Sequence, residues 1–449
     1  MAGSDCKPSM LDIFCLHGKM ESNKKFGSIK QNQTVDHQEY IVMNELELNW
    51  VMNRMPASDD RCLEIMSIEN VEKARNFHKS FPQYSVTAMA NLAKMAKFLG
   101  LGGIYVKDER FRFGLNAFKV LGASFAMGRY IAHEMGEHVT DITYDDLTSP
   151  ELKDTFGTAT FFTATDGNHG RGVAWAARRL HQKAVVHMPK GSAKSRFDNI
   201  AKEKAKVTIE DLNYDDCVRL AAKEAAETEH GVVIQDTAWE GYEDIPSWIM
   251  QGYGTISHEA AEQLRELEVN RPTHVFIQAG VGSFASSVVG YFTNLFPDHP
   301  PKFIIVEPKT AACLYKGAKL GTGEPQVVKG DLKTIMAGLA CGEPNVLGWD
   351  ILRNHATAFI AAEDWVAAKG MRMLAVPVLG DPAVISGESG AVTMGALGQI
   401  MMNEELWEIK ELLGLNKESK VLLFSTEGNT DPDYFLRVVW DGAYGIGND

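Results

Sequence analysis

Thr273-His-Val-Phe-Ile-Gln-Ala-Gly-Val-Gly-Ser-Phe-Ala-Ser-Ser287 carries the chain from an apolar strand, through a glycine turn, into a helix that opens near Ser283. Gly280 and Gly282 permit a tight turn and close backbone approach. N–H groups at the helix start, with the hydroxyls of Ser283, Ser286 and Ser287, make a cradle for an anion, with Val281 between the glycines. The same alternation recurs along the chain. β-rich runs at 158–163, 184–188, 207–210, 232–235, 273–278, 303–306, 357–361 and 421–425 are spaced by helical patterns at 170–180, 192–204, 215–228, 248–267, 283–296 and 364–373. Crossovers of this length predict an α/β protein whose largely parallel sheets are covered by helices. Pro246 and the Gly/Pro-rich stretch 321–350 punctuate the pattern. The expected division is a small α/β block at 124–245 inserted in a larger domain built from 41–123 and 246–449, after a polar extension at 1–40.

Composition narrows the function classes. The formal charge is 45 − 59 = −14 and no Lys/Arg-rich run is present, which disfavours nucleic acid and anionic membrane surfaces as partners. No stretch approaches the roughly 20 apolar residues of a spanning helix. The apolar patch at 10–16 contains Asp12 and lacks the flanks of a secretory signal, so a cytoplasmic location is expected. The six cysteines lack metal-ligand spacing, so no metal site is expected; pairing of Cys313 with Cys341 stays open.

Three further stretches carry chemistry. In Asn116-Ala-Phe-Lys-Val-Leu-Gly-Ala123 a lysine is embedded among apolar residues at the start of a helix. Lys119 there reads as badly placed for a salt bridge and well placed for a Schiff base with an aldehyde cofactor, because burial disfavours the ammonium form. Thr163-Ala-Thr-Asp-Gly-Asn-His-Gly170 lies between a strand end and a helix, where open α/β sheets place ligands. It reads either as a helix N-cap or as a turn whose Asn168 amide meets a phenolic oxygen, with His169 as a packing residue. At the strand end Leu422-Leu-Phe-Ser-Thr-Glu-Gly428 a hydroxyl from Ser425 or Thr426 is placed to meet a pyridine nitrogen. A competing reading takes 280–285 as G-x-G-x-x-A with Glu307 at the end of the next strand, a dinucleotide fingerprint and hence an NAD-dependent dehydrogenase.

Lysine, asparagine turn, glycine loop and C-terminal hydroxyl, in that order over about 80–440, resemble the tryptophan synthase β-subunit family of pyridoxal-phosphate enzymes, fold type II. Phe113-Gly-Leu-Asn-Ala-Phe-Lys119, Thr165-Asp-Gly-Asn-His-Gly-Arg-Gly-Val-Ala-Trp175, Gln235-Asp-Thr-Ala-Trp-Glu-Gly-Tyr242 and Ser425-Thr-Glu-Gly428 look like the diaminopropionate ammonia-lyases within it. Relatives acting on serine or threonine usually carry Ser-Xaa-Gly-Asn-His where this chain has Asp166-Gly-Asn-His. The departures are the N-terminal extension and Phe284.

The resemblance implies a two-domain homodimer. Lys119 would hold the pyridoxal 5'-phosphate aldehyde, Asn168 its phenolic oxygen, and Gly280, Val281, Gly282 and Ser283 its phosphate, with Phe118 also binding the cofactor. Ser425 or Thr426 would serve the pyridine nitrogen, and Asp166 and Asp236 the substrate side. Asp236 also reads as a turn residue before Trp239. The implied activity is α,β-elimination of 2,3-diaminopropionate, D and L, to pyruvate and ammonia. A serine/threonine dehydratase of the same fold and a non-catalytic cofactor-binding homologue are the alternatives.

Overall fold

The computed structural model describes residues 48–136 and 142–445; the extension expected at 1–40 lies outside them. The large sheet has seven strands in the order β1-β10-β9-β8-β11-β3-β2. These are β1 Asn49–Met52, β2 Ala88–Asn91, β3 Gly103–Asp108, β8 His274–Gln278, β9 Lys302–Pro308, β10 Ala358–Ala362 and β11 Lys420–Ser425. The five central strands are parallel, and β1 and β2 close the two edges antiparallel. The small sheet is wholly parallel, β6-β5-β4-β7, from β4 Thr160–Ala164, β5 Lys183–Met188, β6 Lys206–Ile209 and β7 Gly231–Val233.

The apolar runs of the central strands bury both faces. Val275, Ile277, Phe303, Ile305, Leu422 and Phe424 enter one core, and their neighbours Phe276, Ile304, Val306, Val421 and Leu423 enter the other. Successive side chains of a strand point to opposite faces, so a strand covered on both sides reads as continuously apolar. Sequence reading missed β1, β2 and β3. The first two are short edge strands with partly exposed residues and none of that signal.

Helices α1 Val120–Glu134, α2 Asn168–Arg179, α3 Lys194–Ala201, α4 Tyr214–Glu227, α5 Asp244–Glu266, α6 Ser283–Leu295 and α7 Glu388–Met402 reach the site. The expected seams at 123/124 and 245/246 fall in the first turns of α1 and α5, which lie in sequence between one sheet and the other. Pro246 sits inside the first turn of α5, where a missing N–H costs no hydrogen bond. Stretch 321–350 is loop, apart from a 3₁₀ turn at Ala337–Leu339 and the start of the helix Val346–His355. Among the described residues no helix is long and apolar enough to cross a membrane.

Between β3 and α1 the chain makes an unfavourable turn, with Phe113 at φ 49° and Asn116 at φ 60°. A fully buried cluster of two cations and two anions holds it. The Arg112 guanidinium grips Glu109 (Nε to Oε2, 2.8 Å) and Glu259 (Nη1 to Oε1, 2.9 Å; Nη2 to Oε2, 2.8 Å). Lys107 Nζ donates to Glu259 Oε2 at 2.7 Å and to the Thr87 carbonyl at 2.8 Å. All four side chains are closed to solvent. Burial works against the Glu259 carboxylate, yet Arg112 and Lys107 hold its pKa far below the ordinary carboxylate value.

Removing one partner strands the opposite charge in a dry interior. Glu259→Gln is therefore expected to lower stability by about 3–5 kcal/mol, read as a fall in thermal midpoint, whereas Lys194→Gln in the exposed pair with Asp198 leaves it unchanged.

Candidate active site

Parallel sheets bind ligands beyond the carboxyl ends of their strands, where the strand order reverses. In the small sheet the reversal lies between β4 and β7; in the large sheet β11 is inserted between β8 and β3. The loops leaving these strands carry Asp166 and Asn168 (after β4), Asp236 (after β7), the glycine turn (after β8), Thr426 (after β11) and Lys119 (after β3). They surround one cavity of about 400 Å³, lined by every sequence-predicted site residue except Ser286, Ser287 and Ser425. A groove of about 860 Å³ between residues 147 and 206 contains none of them.

Lys119 sits at the N-terminal boundary of α1. Gly172 of α2 allows the approach: a Cβ there would meet Val120 N at 2.8 Å. Contrary to the expectation from its apolar neighbours, Lys119 does have an ion-pair partner, because β7 brings Asp236 against it from 117 residues away. The ammonium also lies 5.4 Å from the centre of the Phe118 ring and 5.5 Å from that of Tyr253. Asp236 is buried, which by itself raises a carboxyl pKa. Lys119, His169 and the Tyr253 hydroxyl at 3.3 Å outweigh burial and lower it from 3.8 to about 2.

The cradle is made of backbone. Gly282 precedes α6 at φ +97°, a conformation that L side chains rarely adopt, and a Cβ on Gly280 would come within 3.1 Å of Leu339 Cα. The first N–H groups of α6 lack intrahelical acceptors and open on the cavity. The serine hydroxyls were expected to join them, but their protons are used elsewhere. Ser283 donates to the Asp236 carbonyl, Ser286 to the Ser283 carbonyl at 3.0 Å and Ser287 to the Met250 carbonyl at 2.9 Å. Phe284 lines the cavity too, its ring centre 4.5 Å from that of Phe118.

Asn168 is the first residue of α2 and faces the cavity. His169 donates from Nε2 to the Ile234 carbonyl at 2.9 Å, so it is a hydrogen-bonded packing residue whose pKa burial depresses. Of the two C-terminal hydroxyls, only Thr426 lines the cavity. Its oxygen accepts from Gln278 Nε2 at 2.8 Å, leaving its own proton to donate. Ser425 is buried on the Glu427 carbonyl at 3.3 Å and does not reach the cavity.

Sequence reading missed Arg196, Glu388 and Glu427. Arg196, from α3, binds Asp166 (Nη1 to Oδ2, 2.7 Å) and lies 3.6 Å from Glu388. Asp166 has its pKa raised by burial, against the pull of Arg196 and Lys119. Glu427 accepts from the Asn168 amide. Glu427 stood inside the Ser425-Thr-Glu-Gly428 string but read as a turn; Arg196 looked like any solvated helix cation, and Glu388 carried no signal at all. The acid of the dinucleotide reading is otherwise engaged. Glu307 accepts from the N–H groups of Leu314 and Tyr315 at 2.9 and 2.6 Å, capping the helix Cys313–Leu320. Cys313 and Cys341 are free thiols, as are Cys62 and Cys217.

A carboxyl whose pKa is lowered on folding stabilises the native state above its unfolded pKa and loses that contribution as pH falls through the folded value. The advantage of the wild-type apoprotein over Asp236→Asn in thermal midpoint is therefore expected to be full above about pH 4 and to shrink toward about pH 2.

A family model for pyridoxal-phosphate dependent enzymes matches residues 81–411. The chain is similar to the diaminopropionate ammonia-lyase of Salmonella typhimurium, 52% identical over 82% of this chain and 91% of that protein. It is also similar to that of Escherichia coli, 48% identical over 85% and 94%. The crystal structure of the holo Escherichia coli enzyme superposes with a TM-score of 0.81 at 44% identity, covering 89% of this chain and 98% of that one. The chain is thus a pyridoxal-phosphate dependent enzyme and belongs to the diaminopropionate ammonia-lyase family.

Proposed function

We propose that this protein catalyses the pyridoxal-phosphate-dependent α,β-elimination of 2,3-diaminopropionate, in both D and L forms, to pyruvate and ammonia. The observation that carries the reading is the Lys119 ammonium in the cavity between the backbone cradle of α6 and the Asn168 turn, paired with buried Asp236. The residues fit the cofactor. Gly280, Val281, Gly282 and Ser283 offer main-chain N–H groups to a phosphate, Asn168 an amide to a phenolic oxygen, Thr426 a hydroxyl proton to a pyridine nitrogen and Lys119 an amine to an aldehyde. Phe118 forms part of the apolar wall. When bound, the cofactor supplies an electron sink that stabilises the charge left by removal of the substrate α-proton.

The chain supplies charge placement and bases. Asp236 is a buried anion whose charge Lys119 balances. A second substrate amine neutralises that anion and a serine hydroxyl cannot, which favours a diamino acid over serine. Asp166 and Lys119 enter the cavity from different strand ends and serve as bases at the α-carbon. The raised pKa of Asp166 strengthens it as a base, while Arg196 keeps the anion accessible. We further place the protein in the cytoplasm as a homodimer, with 124–245 as a small domain against a large one from 41–123 and 246–449.

Lys119→Ala is expected to abolish both the borohydride-sensitive visible absorbance and ammonia release from 2,3-diaminopropionate. A borohydride-sensitive adduct persisting elsewhere in the chain overturns the assignment. Loss of one positioned base costs on the order of 10²–10⁴ in rate. Asp166→Asn is therefore expected to depress single-turnover pyruvate release from the D-substrate far more than from the L-form; equal losses assign Asp166 to general substrate binding.

A further inference from the structure

One buried carboxylate beside the cavity has no part in the reading above. Glu427 is 5% exposed, and its backbone is fixed from several sides. Its carbonyl accepts from Gly387 N at 2.9 Å, Gly428 N donates to the Asn116 carbonyl at 3.0 Å, and Glu427 bridges to Ala117, two residues before Lys119. The loop is therefore held by main-chain bonds that any side chain at this position would allow. Burying a carboxylate costs several kcal/mol of hydration; the fold does not need this one.

What the carboxylate touches is Asn168, whose Nδ2 donates to Glu427 Oε2. An ionised carboxylate has no proton to give, so only the NH₂ end of an amide can face it. With the nitrogen fixed in this way the amide oxygen is turned from Glu427, and the second N–H of the same nitrogen is left for the cavity. We propose that Glu427 is a positioning residue that locks the Asn168 amide so that an N–H, not the carbonyl, meets the cofactor's phenolic oxygen. The inference rests on the cofactor reading given above.

The surrounding groups act on Glu427 in both directions, with burial the largest and its pKa raised on balance. Burial pushes up both Glu388 and Glu427; repulsion from Glu427 adds to the first and repulsion from Asp166 to the second. Arg196 and hydrogen bonds from Asn168 and Ser389 hold Glu427 back, while Glu388 is pushed up to about 8. Asp166 and Asp431 complete the ring of charge around Arg196.

The test uses the holoenzyme and reads the bound cofactor's absorption at one pH, because a donor to the phenolic oxygen favours the long-wavelength form over the near-ultraviolet one. Glu427→Gln, able to donate as well as accept, is expected to lower the visible-to-near-ultraviolet ratio by about threefold to tenfold, the loss of part of one charge-assisted hydrogen bond. Far-UV circular dichroism is expected to stay unchanged, as is cofactor affinity in equilibrium dialysis to within a few-fold. Asn168→Ala is expected to lower the ratio at least as far, and adding Glu427→Gln to it to change nothing more. Should Glu427→Gln not fold, Glu427→Asp, which keeps the charge but withdraws it by one methylene, is expected to shift the ratio in the same direction. A ratio identical to wild type, or an effect that adds to that of Asn168→Ala, overturns the positioning role while leaving the cofactor reading intact. A wild-type protein with no borohydride-sensitive band overturns both.

Discussion

Four charges with no access to water hold the segment on which the site depends. Lys107, Glu109, Arg112 and Glu259 neutralise one another in an interior where a lone charge would be strongly destabilising. Their geometry ties the end of β3 and the left-handed turn at Phe113 and Asn116, which follow one another in the chain, to α5, which lies far along it. Strained backbone persists only where its surroundings over-determine it. Here the turn is over-determined by Arg112 on one side and by the main-chain bonds of Asn116 and Phe118 to the 426–428 loop on the other. Lys119 follows five residues after Gly114 and inherits that rigidity.

The same helix links this cluster to the chemistry. Glu259 and Tyr253 lie six residues apart on α5, about 9 Å along the axis, and Tyr253 donates to Asp236 at 3.3 Å. The site therefore stands on the two sheets jointly: the amine comes from the chain after β3, and the carboxylate that pairs with it comes from the chain after β7. Around them the cavity wall is rich in carboxylates, Asp166, Asp236 and Glu427, against Lys119 and Arg196. The chain's overall negative charge is thus repeated where a substrate with two amines would sit, and the desolvated setting gives each of these charges more weight than it would have at the surface.

Much of the architecture was legible in the sequence, for a physical reason. A strand buried on both faces is apolar throughout unless its charges are paired, so β4, β5, β8, β9, β10 and β11 stand out, while β3, buried with Lys107 and Asp108 in it, does not. The helices between them show because one face is wet and the other dry. Short edge strands such as β1 and β2 lack that contrast. Within the site, the glycine turn and the Asp-Gly-Asn-His string were readable because they are local: the turn needs its glycines within a few residues of one another. The hydroxyls of Ser283 and Ser287 were misjudged because their acceptors, the carbonyls of Asp236 and Met250, belong to distant stretches, while Ser286 turns back on the Ser283 carbonyl of its own helix.

What the sequence by itself determined is the set of local devices: an amine among apolar neighbours, a helix start able to hold an anion, an amide on a turn and a hydroxyl at a strand end, each within one short stretch. Strand order was decided only by the tertiary structure. Inserting β11 between β8 and β3, and β4 between β5 and β7, brings those devices to one cavity, and it gives Lys119 the partner its own stretch did not supply. Pairing across 117 residues, like the meeting of Arg196 with Asp166 and of Glu427 with Asn168, follows from which strands lie side by side. That is a global balance of buried area and hydrogen bonding, which no single stretch of sequence contains.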